Sequence, residues 1–279
     1  KETFFRRVRQ PNGLTRIGMA PERLEEYLIE GSYDIVGINS NFTPQTNMAL
    51  EVARIAKIIN PETLVIAGGV NARAMAERMM AQNTIDLIAI TEGEKIIVEI
   101  ARAWQNGSGF DGVNGVAYLR NGKLAINPVK PGAVTTNLDE LPLPAWDLLP
   151  FTKYDEINSP HAIITPVKKH RYASLMTSRG CPFECLYCHI SEEKSAESAS
   201  GDIGSLRLKS VDRVMREVDI LRSLGVTHLY LEDDSLLAKR FRVQEIFTYL
   251  LKAGLNIADV NGVNLVHFLI RNKITGKLE

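Results

Sequence analysis

Three cysteines, Cys181, Cys185 and Cys188, lie in the stretch Arg179-Gly180-Cys181-Pro182-Phe183-Glu184-Cys185-Leu186-Tyr187-Cys188, and the 279-residue chain has no others. An odd number of thiols packed so tightly is no disulfide framework, which leaves metal chemistry. The spacing C-x3-C-x2-C lets three thiolates of one loop hold three irons of a four-iron, four-sulfur cluster, with the fourth iron free of any protein ligand. The competing reading is a zinc ion with His189 as fourth ligand. Adjacent Cys188 and His189 are poorly placed to reach one tetrahedral metal together, and zinc loops generally come as separated pairs.

Carboxylates and loops offer further candidates. Glu232-Asp233-Asp234 follows the apolar run Thr227 to Leu231. Three successive acids are ordinarily a solvated turn, but the carboxyl end of a strand is where barrel enzymes keep their active sites. Strand alternation sets Glu232 and Asp234 on one side and Asp233 on the other, so the three do not all meet one ligand. Asn261-Gly262-Val263-Asn264 fills the next such loop. Upstream, Ser40-Asn41-Phe42-Thr43, Gly68-Gly69-Val70-Asn71 and Thr91-Glu92-Gly93-Glu94 each follow an apolar run. Ligands of open α/β sheets sit beyond the carboxyl ends of the strands. Glycines there are often only turn residues; together the three loops outline one ligand-facing edge.

The elements that must hold these residues follow from periodicity. Pro21 opens a helix over Glu22 to Glu30, Asp34 to Asn39 is a buried strand, and Gln45 to Ile59 places Ala49, Val52, Ala53, Ala56 and Ile59 on one helical face. Thr63 to Ala67 is a strand, a helix runs from about Asn71 to Gln82, Asp86 to Ile90 is a strand, and a helix ends near Trp104. Val116 to Asn127 reads as a hairpin about Asn121-Gly122. Downstream, Tyr172 to Ser178, Thr227 to Leu231 and Leu255 to Val260 read as strands, with helices at Val211 to Leu224 and Phe241 to Lys252. The Ser/Glu-rich stretch from Ser191 to about Leu208 reads as a loop, and the first dozen residues show no apolar period. Trp146 suits either an interdomain anchor or ordinary core packing.

Composition bounds the partners. With 33 basic and 33 acidic residues the chain has no cationic surplus for nucleic acid or anionic lipid. Its longest apolar runs fall far short of the roughly 20 residues a spanning helix needs, so a soluble, cytoplasmic protein is expected. At about 150 residues per domain, the length suggests two domains.

Cys181, Cys185 and Cys188 with Tyr187 resemble the signature of the radical S-adenosylmethionine (SAM) enzymes. Gly37-Ile38, Gly68-Gly69, Glu92-Gly93-Glu94 and the linker Leu138-Asp139-Glu140-Leu141-Pro142-Leu143-Pro144-Ala145-Trp146-Asp147 occur in the order of the cobalamin-binding subgroup. The resemblance covers about residues 14 to 264. It implies an α/β chain: a Rossmann-like cobalamin-binding domain over 1–137, a linker over 138–168, and a radical SAM TIM-like barrel begun over 169–279. Its implied cofactors are a [4Fe-4S] cluster on Cys181, Cys185 and Cys188, SAM, and cobalamin. SAM contacts would come from Tyr187, Glu232, Asp233, Asp234, Asn261 and Asn264. Cobalamin contacts would come from Ser40, Asn41, Phe42, Thr43, Gly68, Gly69, Val70, Asn71, Glu92, Gly93 and Glu94.

The implied activity is methyl transfer to an unactivated carbon through a 5′-deoxyadenosyl radical. Its substrate would be a small molecule, a lipid or a tetrapyrrole-like compound, and its electrons would come from a flavodoxin or ferredoxin. A B12-dependent oxidative cyclase keeps both cofactors without methylating. Radical tRNA methylthiolation fits less well, because the first 180 residues contain no cysteine for an extra cluster. A corrinoid-binding module with a degenerate barrel is the non-enzymatic alternative, against which the intact cysteine spacing argues. Two departures stand out. No D-x-H-x-x-G motif occurs, and the five histidines (161, 170, 189, 228 and 267) all follow residue 160. The chain also starts at Lys1 and offers about three barrel strands where the family has six; the expectation is a piece of a larger protein, inactive by itself.

Overall fold

Apolar runs of three to five residues bounded by Asn, Asp or Gly build the larger strands, and amphipathic helices cover them. In the computed structural model, which describes residues 6–156, 170–194 and 199–269, the chain divides into two units, Lys1–Val134 with Ala196–Asp202 and Thr135–Ser195 with Ile203–Glu279. The linker expected to begin at Leu138 therefore starts inside the second unit, and its residues 157–168 lie outside the described ones.

The first unit opens with β1 (Arg7–Arg9) and β2 (Thr15–Ile17), an antiparallel pair. Periodicity missed it because none of its six residues is buried: the pair is held by backbone hydrogen bonds, not by an apolar face. Then follow α1 (Pro21–Gly31), β3 (Ile35–Asn39), α2 (Thr46–Ile59), β4 (Leu64–Gly68), α3 (Val70–Ala74), α4 (Ala76–Met80), β5 (Leu87–Ala89), α5 (Gly93–Asn106), β6 (Val116–Arg120) and β7 (Lys123–Ile126). The sheet order is β3-β4-β5-β6-β7, parallel through β5 and antiparallel beyond it. The expected single helix from Asn71 to Gln82 is broken at Met75, whose backbone leaves the helical region. The break accompanies insertion of Met79 and Met80 into the core, where neither is exposed by more than 1%. Burial of that kind stabilises by about 1.5–3 kcal/mol per large side chain and outweighs local helix propensity. Ala49, Ala53 and Ala56 of α2 and Ile96, Ile100 and Ala103 of α5 bring small or aliphatic faces to the same core.

In the second unit, α6 (Phe151–Tyr154) precedes β8 (Tyr172–Leu175), β9 (Ser178–Arg179), α7 (His189–Glu192), β10 (Arg207–Leu208), α8 (Val211–Ser223), β11 (His228–Leu231), α9 (Arg240–Lys252) and β12 (Asn256–Asp259). β8, β11 and β12 form a parallel sheet in the order β12-β11-β8, the repeating strand-and-helix unit of a barrel wall. Ala173, Leu175, Leu229 and Leu231 face Val214, Val218 and Leu221 of α8 and Ile246 and Leu250 of α9. Trp146 packs in this core as well, so core packing accounts for it. The expected strand over Tyr172 to Ser178 breaks after Leu175, because β9 turns away to pair antiparallel with β10. Part of the expected loop over 191–208 is thus a strand. Among the described residues no helix is long and apolar enough to cross a membrane.

Candidate functional site

The cysteine loop leaves β9 through Gly180, whose φ of +75° is one that L side chains rarely adopt. A Cβ there would lie 2.4 Å from the Ser205 carbonyl oxygen and 2.5 Å from that of Gly204, so glycine is required. The Cys181 N–H donates to Gly204 O at 3.1 Å, and the Gly204 N–H in turn donates to Glu193 O at 2.8 Å. A Cβ on Gly204 would meet Ile190 O at 2.2 Å. Cys188 N–H donates to Cys185 O at 3.0 Å and closes the turn between the last two thiols. All three cysteines are free and partly buried, whereas Leu186 and Tyr187 between them are 102% and 93% exposed. Among the described residues no three His, Cys, Asp or Glu side chains are grouped closely enough to hold one metal ion. Three accessible thiols on a braced loop suit a cluster that spaces its ligands across several irons better than a single zinc ion with His189.

Just beyond β11 the three acids have different surroundings. Glu232 is half-buried, and Ser174 Oγ of the neighbouring strand donates to its Oε1 at 2.5 Å. Asp234 is exposed by surface area, yet nearby chain keeps bulk water from much of its carboxyl. That burial raises its pKa, while the Gly180 N–H and His189 pull the other way. Asp233 has no exposure at all and is hydrogen-bonded to Thr177 and Ser178, so its side chain is turned away from Glu232 and its partner Ser174. Asn261 Nδ2 donates to Glu232 O at 3.0 Å and Asp233 O at 3.4 Å, tying the third loop to the acidic one. Asn264 caps the short turn Leu265–Phe268 through Val266 N–H. That turn carries His267, whose Nε2 lies 3.2 Å from Ser235 Oγ and whose ring is 5.3 Å from that of Phe183. Sequence reading passed over His267, Gly204 and Arg242, because each acts through a contact distant in the chain.

In the first unit the loops after β3, β4 and β5 adjoin one another. Ser40 N–H donates to Gly68 O at 2.8 Å, and Ala72 N–H to Ser40 O at 3.2 Å. Asn71 Nδ2 donates to Ser40 Oγ at 2.8 Å and to Thr46 Oγ1 at 2.9 Å, with all three side chains buried. The Asn71 Oδ1 is closed to solvent and has no hydrogen-bond partner, and the same holds for Thr91 Oγ1. Gly69, at φ +101°, leaves a space that a Cβ would fill: it would stand 2.4 Å from Asn41 Oδ1 and 2.6 Å from Ser40 O. Phe42, 66% exposed, and Thr43 form the outer rim, with Thr43 opening a short turn to Gln45. Val70 begins α3, and Glu92 stands in extended conformation just before Gly93 and Glu94 of α5. Polar atoms that want partners, beside a glycine where backbone is bare, suit an amide-rich ligand.

Residues 12–101 match the family described as the B12 binding domain, and these loops fall within them. The first unit contains a B12-binding domain. The chain is 33% identical over 228 residues to an uncharacterized methyltransferase of Pyrococcus horikoshii, a match covering 81% of this chain and 45% of that protein. An anaerobic magnesium-protoporphyrin IX monomethyl ester cyclase of Rubrivivax gelatinosus is 27% identical over 245 residues, 86% of this chain and 40% of the cyclase. The chain thus spans less than half the length of these relatives. In structure it is similar to the cobalamin-dependent SAM radical enzyme OxsB with aqua-cobalamin bound, with a TM-score of 0.66 and 23% identity, covering 86% of this chain and 32% of OxsB. The α/β fold expected from the sequence is therefore that of a known cobalamin-dependent radical SAM enzyme.

Proposed function

We propose that this chain is part of a cobalamin-dependent radical SAM enzyme that methylates an unactivated carbon of a small molecule, a lipid or a tetrapyrrole-like substrate. The observation that carries the reading is covalent: a B12-binding domain is followed, in one chain, by a parallel α/β sheet whose first strand leads into three free thiols spaced C-x3-C-x2-C. Cys181, Cys185 and Cys188 would hold a [4Fe-4S] cluster, which when bound supplies the electron for reductive SAM cleavage. Glu232 and Asp234, on the side opposite Asp233, would receive the SAM amino group; Tyr187, Asn261 and Asn264 would border the same cofactor. Ser40 to Thr43, Gly68 to Asn71 and Glu92 to Glu94 would surround the corrinoid, with Asn71 Oδ1 and Thr91 Oγ1 free to accept from its amides. A flavodoxin or ferredoxin would supply electrons in the cytoplasm.

A second reading, oxidative ring closure without methylation, draws support from the similarity to the Rubrivivax gelatinosus cyclase. Product mass separates the two. Full-length protein is reconstituted anaerobically with iron, sulfide, cobalamin and SAM, and incubated with candidate substrates. A gain of CH2 in the product supports methylation; loss of hydrogen or gain of oxygen supports the cyclase. Cys185→Ala should abolish stable cluster assembly, and an equally stable four-iron cluster in that variant would defeat the assignment of the thiols.

A further inference from the structure

Asp233 is an acid that continues the buried, apolar face of β11. Leu231, two residues earlier on the same face, is completely buried in the helix-covered core, and Asp233 is likewise fully closed to solvent. Its Oδ2 accepts from the Thr177 N–H at 3.0 Å, and its Oδ1 accepts from Thr177 Oγ1 at 2.8 Å and from Ser178 Oγ. From the other flank Arg242 of α9 donates through Nη2 to Thr177 O at 2.7 Å and through Nη1 to Thr177 Oγ1 at 3.2 Å. The Lys209 N–H also reaches Thr177 O, at 3.0 Å. Every polar group of Thr177 is thus engaged, its hydroxyl as both donor and acceptor. Burying a carboxylate is costly unless donors satisfy it, and here three do. The dipeptide so fixed is the root of the cysteine loop: Thr177 lies between β8 and β9, Ser178 opens β9, and Cys181 comes three residues after Ser178.

We infer that Asp233 is a positioning residue for the cysteine loop and that the acidic triplet divides its work, with Asp233 gripping Thr177-Ser178 from behind while Glu232 and Asp234 face the ligand side. The inference rests on the reading that Cys181, Cys185 and Cys188 hold a cluster. One rigid path runs from the Asp233 carboxylate through Ser178 to Gly180 and Cys181. That path fixes the first thiol relative to the end of β11, where the acids expected to take the SAM amino group stand.

The test uses the full-length protein, reconstituted with iron and sulfide, as parent, Asp233→Asn, Ser178→Ala and Asp234→Asn. Iron retained against a chelator, the paramagnetic resonance spectrum of the reduced cluster without SAM, and SAM affinity are measured for each. Removing a group that holds a metal ligand from behind typically weakens metal binding about 10-fold or more. Asp233→Asn and Ser178→Ala should therefore each lose iron about 10-fold more readily and show an altered SAM-free spectrum. Asp234→Asn should keep the parental SAM-free spectrum and bind SAM more weakly. If Asp233→Asn and Ser178→Ala retain iron and the SAM-free spectrum of the parent, the inference is wrong, whatever happens to SAM affinity. Should Asp233→Asn fail to fold by circular dichroism, Ser178→Ala decides alone, because it removes one hydroxyl and leaves both Thr177 donors on the carboxylate. A parent that assembles no four-iron cluster overturns the functional reading and this inference with it; a normal parental cluster with insensitive variants overturns the inference only.

Discussion

Arg213 and Glu217, one turn apart on α8, form an ion pair sealed from solvent, with Nε 2.6 Å from Oε1. The second oxygen of Glu217 takes Lys209 Nζ at 2.6 Å, and the remaining Arg213 nitrogens donate to the carbonyls of Leu141 at 2.6 Å, Pro142 at 2.9 Å and Asp139 at 3.3 Å. A carboxylate that orients a guanidinium so that it clamps three carbonyls within residues 139–142 explains why the proline-bearing stretch is held against α8. Lysine could not replace this planar fork.

Arg213→Leu should accordingly destabilise the second unit by about 3 kcal/mol, the low end for breaking a buried pair, because Lys209 still partners Glu217. Urea unfolding measures it. A loss below about 1 kcal/mol, the scale of an exposed pair, would contradict the clamp.

Asp139 adds a pH dependence to the same clamp. Burial raises its carboxyl pKa, but the hydroxyl and N–H of Ser210, together with Arg213 and Arg216, outweigh burial and hold it below the ordinary carboxylate value. A lowered folded-state pKa contributes stability that is complete above the ordinary carboxylate range and is lost as pH falls through the lowered value. Acid titration of Asp139→Asn beside the parent should show the parent more stable at neutral pH and the difference vanishing in strong acid. A difference that grew on acidification would reverse the sign argued here.

Gly69→Ala should damage the B12-binding domain. Its φ of +101° costs an L residue about 1–3 kcal/mol, and the new methyl would stand 2.6 Å from Ser40 O, a backbone atom that cannot rotate away. Cobalamin affinity and thermal unfolding of the full-length protein should both fall, and parental cobalamin affinity in the variant would remove Gly69 from the corrinoid cradle.

No residue before His161 offers an imidazole. Cob(II)alamin bound by the loops of the first unit should therefore give a paramagnetic resonance spectrum that does not change when the protein is labelled with heavy nitrogen in its histidines. A label-dependent superhyperfine pattern would show a histidine on cobalt and rule out the loop assignment as drawn.

The sequence by itself determined the features that depend on neighbours in the chain. Strand and helix periods, the Asn121-Gly122 hairpin, and the cysteine spacing are all local, and the observed elements lie within a residue or two of most expected ones. The alternation that separates Asp233 from Glu232 is local too, since side chains of extended chain point alternately to its two faces. Tertiary structure alone decided what each residue does with its direction. That Asp233 meets Thr177, that Gly204 backs Gly180 and Cys181, and that Arg213 holds Leu141 and Pro142 are contacts across 23 to 72 positions, fixed by how β8, β10, α8 and β11 pack. The break at Met75 and the exposed β1–β2 pair belong to the same class: burial of Met79 and Met80 overrode a local helix, and backbone pairing made a hairpin where no apolar period exists. Local preferences amount to tenths of a kcal/mol per residue, whereas burying a large side chain, or leaving a buried charge without its partner, changes stability by several times more. The chain therefore spells out its elements and its reactive groups, while the packed structure selects which of those groups face a ligand and which hold the others in place.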